Sequence, residues 1–295
     1  MLKIRLFTLQ LLLLSFLAYS QDTAPHYVIV WDVGNVLASV NKTSLVFNDL
    51  GIRYILKTAW AGVTPTKMRA WMYEALHQYA GHQSEAVFGK YPVDDEYGTI
   101  LPAFMAETWL CSHMPNNEIL EHVTRAVEHW QPTTPVSSLQ RSLVHQTLTT
   151  ALSAKVLGKN TVCTSEALTL VKEFSSRGIP QYILSNFEEE AFNVMLNNSR
   201  NRELFSYIPV QNRTVSGMCK LAKPHHSIFK YFEQQHHLYS AHIIFIDDQL
   251  RNITAARECG WIAIHLRNGD YAQLVCDIDA AIQSIQSAPI QSLAH

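Results

Sequence analysis

The chain has 295 residues, 47% apolar and 16% charged, with 11 glycines and 11 prolines scattered along it. This composition excludes disordered, collagenous and low-complexity proteins and is typical of a globular protein with a substantial core. The formal net charge is -2 and no run of lysine or arginine is present, so we expect no nucleic-acid partner. The length predicts one core domain that carries a large insertion.

Residues 1–20 differ in character from the rest of the chain. Two basic residues precede an apolar run from Leu6 to Leu17, and residues 18–20 form a small-x-small pattern. This arrangement predicts a cleavable signal peptide and an exported protein, periplasmic or secreted. An uncleaved anchor is the weaker interpretation, because the run is shorter than the roughly 20 residues that span a bilayer and Gln10 interrupts it. We therefore expect no stable membrane span after signal cleavage.

Three short runs further along the chain are apolar on both faces. They are residues 27–31 (YVIVW), 181–184 (QYIL) and 243–246 (IIFI). Runs of this kind predict buried strands of a parallel sheet that helices cover on both sides. Residues 262–266 (IAIHL) are a further strand candidate, and residues 207–210 (YIPV) are a weaker one because they contain proline.

Helical patterns alternate with these runs. Residues 164–174 begin with a threonine that can cap a helix, and a glycine at 178 supplies the stop. Residues 224–235 and 252–258 are the next helical segments, the first with proline at its start. Alternating strands and helices predict an α/β fold with a doubly wound parallel sheet.

A long stretch between the first two strands lacks any comparable buried run. Residues 40–157 instead carry apolar residues at spacings of three and four, which predicts a helical insertion. The α/β core then consists of residues 21–39 and 158–295. The predicted helices of the insertion are residues 67–79, 117–130 and 137–157.

Polar residues follow each of the three main strand candidates. Asp32 comes after the first, Ser185 and Asn186 after the second, and Asp247 and Asp248 after the third. Ligands of an open parallel sheet bind beyond the carboxyl ends of its strands, at the point where strand order reverses. We therefore expect these side chains to converge there, although they are far apart in sequence.

The residue types at this edge favour phosphoryl chemistry. Three facing carboxylates, Asp32, Asp247 and Asp248, repel one another and are stable in the ionised form only beside a cation. Hard oxygen ligands suit Mg²⁺, which takes one or two carboxylates together with substrate phosphate. Asp32 can then attack phosphorus in line, while Ser185 and adjacent backbone amides hold phosphate oxygens and Lys223 neutralises the remaining charge.

These residues resemble a known family in order and character. The strings are residues 31–37 (WDVGNVL), 184–186 (LSN), 223–224 (KP) and 246–248 (IDD) with Asn252. They resemble the four sequence motifs of the haloacid dehalogenase-like (HAD) superfamily, most closely the subgroup with Asp-x-Gly-Asn-Val in motif one and a helical cap. The likeness covers residues 27 to about 270.

The resemblance implies a Rossmann-like core, a mobile cap inserted after motif one, and Mg²⁺ as cofactor. It implies roles for individual residues: Asp32 as nucleophile, Ser185 and Lys223 as its phosphate-binding partners with Asn186 beside them, and Asp32, Asp247, Asp248 and the Gly34 carbonyl as metal ligands. Asp248 is either a ligand or an outer-shell group in this interpretation.

Gly34 departs from the pattern of most phosphatases in the superfamily. These carry a second aspartate two residues after the nucleophile, which serves as general acid and base, whereas a glycine cannot donate a proton. The resembling subgroup, associated with sugar-phosphate hydrolysis, lacks this aspartate, and so does the metal-independent dehalogenase branch.

Three hypotheses therefore stay open. The first is a Mg²⁺-dependent phosphatase acting on a small phosphorylated substrate. The second is a metal-independent dehalogenase-type hydrolase. The third is a catalytically weak exported protein that binds a macromolecule through its helical insertion. The sequence carries no signal for an oligomeric state.

Overall fold

The computed structural model describes residues 27–80, 108–239 and 241–287. The predicted signal peptide, residues 1–20, lies outside these ranges. Within them, no helix has both the length and the apolar character that crossing a membrane requires.

The described residues form seven strands in two sheets. They are β1 (Tyr27–Trp31), β2 (Ala38–Val40), β3 (Thr161–Cys163), β4 (Gln181–Ser185), β5 (Arg213–Val215), β6 (His242–Asp247) and β7 (Ile262–His265). The main sheet has the order β5-β4-β1-β6-β7, and all its pairs are parallel. After β1, the strands β4 and β5 are added on one side of it, and β6 and β7 are then added on the other side. The reversal of strand order therefore lies beside the end of β1.

The described residues also form helices between and around these strands. They are α1 (Ile52–Trp60), α2 (Pro65–Ala80), α3 (Asn116–His129), α4 (Ser138–Ala151), α5 (Ala154–Asn160), α6 (Ser165–Ser176), α7 (Glu189–Met195), α8 (Ser199–Phe205), α9 (Ser216–Cys219), α10 (His226–His236), α11 (Leu250–Glu258) and α12 (Tyr271–Ser287). Thr164 caps α6 as expected, since its hydroxyl accepts a hydrogen bond from the Ala167 amide at 3.1 Å.

Helices cover both faces of the main sheet, as the apolar runs predicted. In β1, Ile29 and Trp31 pack into one core with α6, α7, α8 and α12, whereas Val28 and Val30 pack into a second core with α10 and α11. Alternate side chains of a strand point to opposite faces, so a central strand with two covered faces is apolar throughout. The doubly wound α/β fold is confirmed.

Two predicted elements were wrong. Residues 207–210 are not a strand; the edge strand is β5, just after a short 3-10 turn at Val210–Asn212. Pro209 has no amide hydrogen to donate to a sheet ladder, and the three residues of β5 are too few to give an apolar run. The single predicted helix at 137–157 is two helices, α4 and α5, because Ser153 adopts an extended conformation between them.

The chain leaves and re-enters the α/β core through β2 and β3. These strands pair antiparallel, and the Asn41 amide donates to the Asn160 carbonyl at 2.8 Å at their far end. Between them lie α1 to α5, together with a helical turn at Lys42–Ser44 and a π-helix at Leu45–Leu50. The insertion is thus helical where described, and it has a hydrophobic core of its own. The limits of the domains stay a prediction.

Candidate active site

Side chains from three parallel strands meet where the strands end. Asp32 follows β1, Ser185 ends β4, and Asp247 and Asp248 lie at the end of β6. All four are buried, and carboxylate oxygens of the three aspartates lie within 4.8 Å of one another. The predicted convergence therefore occurs, at the reversal of strand order where parallel sheets bind ligands.

Lys223 lies between two of these carboxylates. Its Nζ is 2.9 Å from Asp32 Oδ1 and 2.6 Å from Asp247 Oδ2, and the side chain is 1% exposed. Lys220, three residues earlier in the sequence, lies elsewhere, since its ammonium donates to the carbonyls of Ser112 and Gly217. Of the two lysines, Lys223 is the one at the site.

Asn186 lies against the backbone of Lys223. Its side-chain amide donates to the Lys223 carbonyl at 2.8 Å, and its Oδ1 accepts from the Lys223 amide at 2.8 Å. The side chain is thus engaged with the backbone of Lys223. These two hydrogen bonds fix the start of the lysine side chain, and the substrate contact of Asn186 stays a prediction.

Ser185 holds one oxygen of the Asp32 carboxylate. Its hydroxyl donates to Asp32 Oδ1 at 2.7 Å, so Oδ1 accepts from both Ser185 and Lys223. Among the described residues, Asp32 Oδ2 accepts no hydrogen bond. Two donors thus orient the carboxylate and leave its second oxygen unengaged.

The other two carboxylates are held by residues of α11, of the turn just before it and of the segment after β1. Asn252 donates to both oxygens of Asp247, at 3.0 and 3.1 Å, and the Gln249 amide donates to Oδ1 at 2.8 Å. Asn252 thus holds the Asp247 loop and does not cap α11, whose first flanking residue is Gln249. Asn35 donates to Asp248 Oδ2 at 2.9 Å, a role that we did not predict although Asn35 lies within motif one.

The electrostatics of the cluster are unfavourable without a further cation. Burial raises the pKa of Asp32 to about 6. The positive charge of Lys223 opposes this rise, and the negative charge of Asp247 adds to it. Burial and the charges of Asp247 and Asp32 raise the pKa of Asp248 to about 7. Burial by itself lowers the pKa of Lys223, but the negative charges of Asp247 and Asp32 outweigh it, so the pKa of this lysine lies above its ordinary value. One ammonium therefore faces three carboxylates in a desolvated site.

The donor set fits a hard divalent cation. Three carboxylates within 4.8 Å offer the oxygen ligands that Mg²⁺ prefers, and Asn252 Oδ1 is a further buried oxygen without a hydrogen-bond partner among the described residues. Gly34 lies next to the cluster, since a Cβ built on it is 3.8 Å from Asp32 Oδ2. The residues that would hold the ion are Asp32, Asp247, Asp248 and, through its carbonyl, Gly34.

The raised pKa values predict how stability depends on pH in EDTA. The folded protein binds protons on Asp32 and Asp248 more tightly than the unfolded chain does, so its stability falls as pH rises from about 4 to about 7. We expect the melting temperature in EDTA to drop by roughly 5 to 10 °C between pH 5 and pH 8. Calorimetry of wild type and Asp248→Asn at several pH values checks this prediction. If the melting temperature fell equally with pH in both proteins, Asp248 would not be one of the groups that cause the fall.

A model of the haloacid dehalogenase-like hydrolase family matches residues 28–260. No curated protein matches the sequence significantly.

Three solved structures are similar at low identity. A predicted HAD-like family hydrolase from Porphyromonas gingivalis has 14% identity and a TM-score of 0.51, covering 88% of this chain and 99% of its own. A HAD family enzyme from Bacteroides thetaiotaomicron, in complex with magnesium and inorganic phosphate, has 16% identity, a TM-score of 0.47, and coverage of 83% and 96%. L-2-haloacid dehalogenase from Xanthobacter autotrophicus has 12% identity, a TM-score of 0.42, and coverage of 81% and 76%. The family match extends over most of the chain, and the motif residues lie together at one end of its parallel sheet. The chain therefore belongs to the haloacid dehalogenase-like hydrolases.

Proposed function

We propose that the protein is an exported, Mg²⁺-dependent phosphatase that hydrolyses a small phosphate monoester through an aspartyl-phosphate. The observation that carries this proposal is the arrangement around Asp32. Its carboxylate is oriented by Ser185 and Lys223 through one oxygen, and it lies against Asp247 and Asp248 in a buried cluster. A cluster this acidic repels a phosphate dianion unless a bound cation reverses the sign of the charge.

Each residue of the cluster has a defined task in this reaction. Asp32 Oδ2, which accepts no hydrogen bond from the described residues, attacks phosphorus; an oxygen–phosphorus bond forms as the bond to the ester oxygen breaks. Ser185 and Lys223 keep the carboxylate aligned and stabilise charge on the phosphoryl oxygens. Bound Mg²⁺ supplies charge neutralisation at the phosphate. The ester oxygen departs with its bonding electrons and takes a proton from solvent, and a second water then cleaves the acyl-phosphate, which releases inorganic phosphate and regenerates Asp32.

The metal requirement separates this proposal from the dehalogenase hypothesis. Displacement of halide from carbon needs no cation between two anions, whereas attack on a phosphate dianion by a carboxylate does. We expect phosphate release from aryl, glycosyl-1- and alkyl phosphates to vanish in EDTA and to return with Mg²⁺. Esters with good leaving groups should react fastest, because Gly34 supplies no proton to the departing oxygen.

The experiment measures phosphate and halide release from these esters and from a 2-haloacid, in EDTA and in Mg²⁺ buffers. Halide release that EDTA does not affect, with no phosphate release from any ester, would overturn the phosphatase proposal in favour of the dehalogenase.

Gly34→Asp tests the role of the missing acid. A Cβ at this position meets only Asp32 Oδ2, at 3.8 Å, so the backbone leaves room for a side chain. We expect Gly34→Asp to raise kcat for alkyl phosphates by about tenfold or more, with little change for aryl phosphates, because general acid catalysis helps poor leaving groups most. Gly34→Ala is the matched control, since it adds the Cβ without the acid. Equal rates in the two variants would show that protonation of the leaving group is not limiting.

Export is the remaining element of the proposal and rests on residues 1–20. A basic start, an apolar run and small residues at 18 and 20 support cleavage after residue 20. N-terminal sequencing of the exported protein should begin at residue 21; retention of Leu6–Leu17 would show an anchor instead.

A further inference from the structure

The helical insertion exposes an unusual row of apolar side chains on α1. Ile52, Leu56 and Trp60 follow one another at intervals of four residues and are 59%, 63% and 88% exposed. Residues four apart lie on the same face of a helix, so the three side chains form a continuous row, which we call the α1 stripe. Phe47, in the preceding π-helix, is also exposed. Contiguous exposed apolar surface of this kind marks an interaction site in a soluble protein.

The α1 stripe does not stabilise the fold of the insertion. The opposite face of α1 does so through Tyr54, which is buried in the insertion core and whose hydroxyl is 2.7 Å from Thr147 Oγ1 on α4. Thr58, on this inner face, donates back to the carbonyls of Tyr54 and Ile55. The helix is therefore attached by one face and presents its apolar stripe with the other.

The sequence around the α1 stripe carries more basic than acidic residues. Residues 42–73 contain five basic residues and one acidic residue, in a chain whose net charge is -2. Arg53 and Lys57 are exposed on α1 itself, beside the stripe. The single acid, Asp49, is already paired with Lys159 at 3.0 Å and its side chain is only 11% exposed. Residues 42–73 thus combine exposed apolar and basic groups and contain no exposed acid.

We propose that the α1 stripe binds the surface of an anionic phospholipid bilayer. An interfacial helix inserts tryptophan, leucine and isoleucine between lipid headgroups while flanking lysine and arginine contact anionic lipid, which is the distribution on α1. The stripe lies along a convex helix, a shape that suits a flat bilayer. A second copy of the chain is a poorer occupant, because pairing two stripes also brings Arg53 and Lys57 of both copies together.

Trp60 provides a site-specific reporter for this proposal. The chain has six tryptophans, and the other five are at most 9% exposed. Contact with vesicles that carry brominated acyl chains therefore quenches the emission of Trp60 selectively. We expect quenching on vesicles of roughly 70% phosphatidylcholine and 30% phosphatidylglycerol, little on phosphatidylcholine alone, and loss of the effect near 1 M salt, where charges are screened within about 3 Å.

Variants with a matched control complete the experiment. Leu56→Glu should weaken vesicle binding at least about tenfold, since it removes an exposed apolar side chain that would insert between the lipids and adds a charge that anionic lipid repels. Val210→Glu makes the same kind of change at a residue that is 74% exposed outside the insertion, and it should bind as wild type does. Trp60→Phe should bind but lose the quenchable emission. All variants share the N terminus of wild type, so a contribution from Leu6–Leu17 is common to them.

Two outcomes would overturn the proposal. One is quenching that is absent from anionic vesicles or equal in wild type and Leu56→Glu. The other is a concentration-dependent dimer, seen by light scattering, that Leu56→Glu dissociates, because it would assign the stripe to a second copy. Neither outcome depends on the phosphatase proposal, since the measurements record lipid contact and mass and not turnover.

Discussion

Asp32→Asn should lower kcat by at least about a thousandfold, to the limit of detection in a phosphate-release assay. The amide keeps the size of the side chain and can still accept the hydrogen bond of Ser185, but it cannot attack phosphorus. Lys223 keeps its 2.6 Å contact with Asp247, so no buried ammonium is left without a partner. We therefore expect the melting temperature of this variant to be no lower than that of wild type.

Asp277→Asn, on α12, is the matched control, because it makes the same chemical change on a helix away from the site. It should retain full activity. If a correctly folded Asp32→Asn protein kept more than a small fraction of wild-type kcat, Asp32 would lose its assignment as nucleophile, and the proposed function would have to be rebuilt around another group.

Lys223→Met should cost both activity and stability. The methionine fills similar space but removes the only ammonium that contacts Asp32 and Asp247 in the described structure. Breaking a buried ion pair by removing one partner costs about 3 to 5 kcal/mol, because the remaining charges are left uncompensated. We expect a loss of this size in the free energy of unfolding near pH 8 in EDTA, together with a fall of at least about a hundredfold in kcat.

The difference in the free energy of unfolding between wild type and Lys223→Met should shrink as pH falls. Lys223 lowers the pKa of Asp32, so removing it raises that pKa further, and protonation then relieves the repulsion at a higher pH than in wild type. Lys220→Met is the comparison, since this lysine contacts carbonyls and no carboxylate of the cluster. A smaller loss of stability and activity in Lys223→Met than in Lys220→Met would reverse the assignment of the two lysines.

The sequence alone was sufficient for the outline of the fold and for the convergence of Asp32, Ser185 and Asp247 at one edge of its sheet. β1 and β6 are covered on both faces, and this burial requires runs such as YVIVW and IIFI that are visible without a structure. Because parallel strands present their carboxyl ends at one edge, the positions of Asp32, Ser185 and Asp247 after such runs were enough to predict that they meet. The family match covers residues 28–260, the part of the chain that contains these motifs.

Only the tertiary structure decided how these residues contact one another and what lies on the surface. Whether Asn186 faces a ligand or the Lys223 backbone depends on the packing of two loops 37 residues apart, which leaves no pattern in the sequence. The edge strand β5 is set by pairing with β4 and not by its own three residues. The α1 helix shows the same limit: an apolar row at helical spacing predicts burial, yet Ile52, Leu56 and Trp60 face outward because Tyr54 anchors the other face. Periodicity identifies an apolar face, but only packing against neighbouring elements determines what covers it.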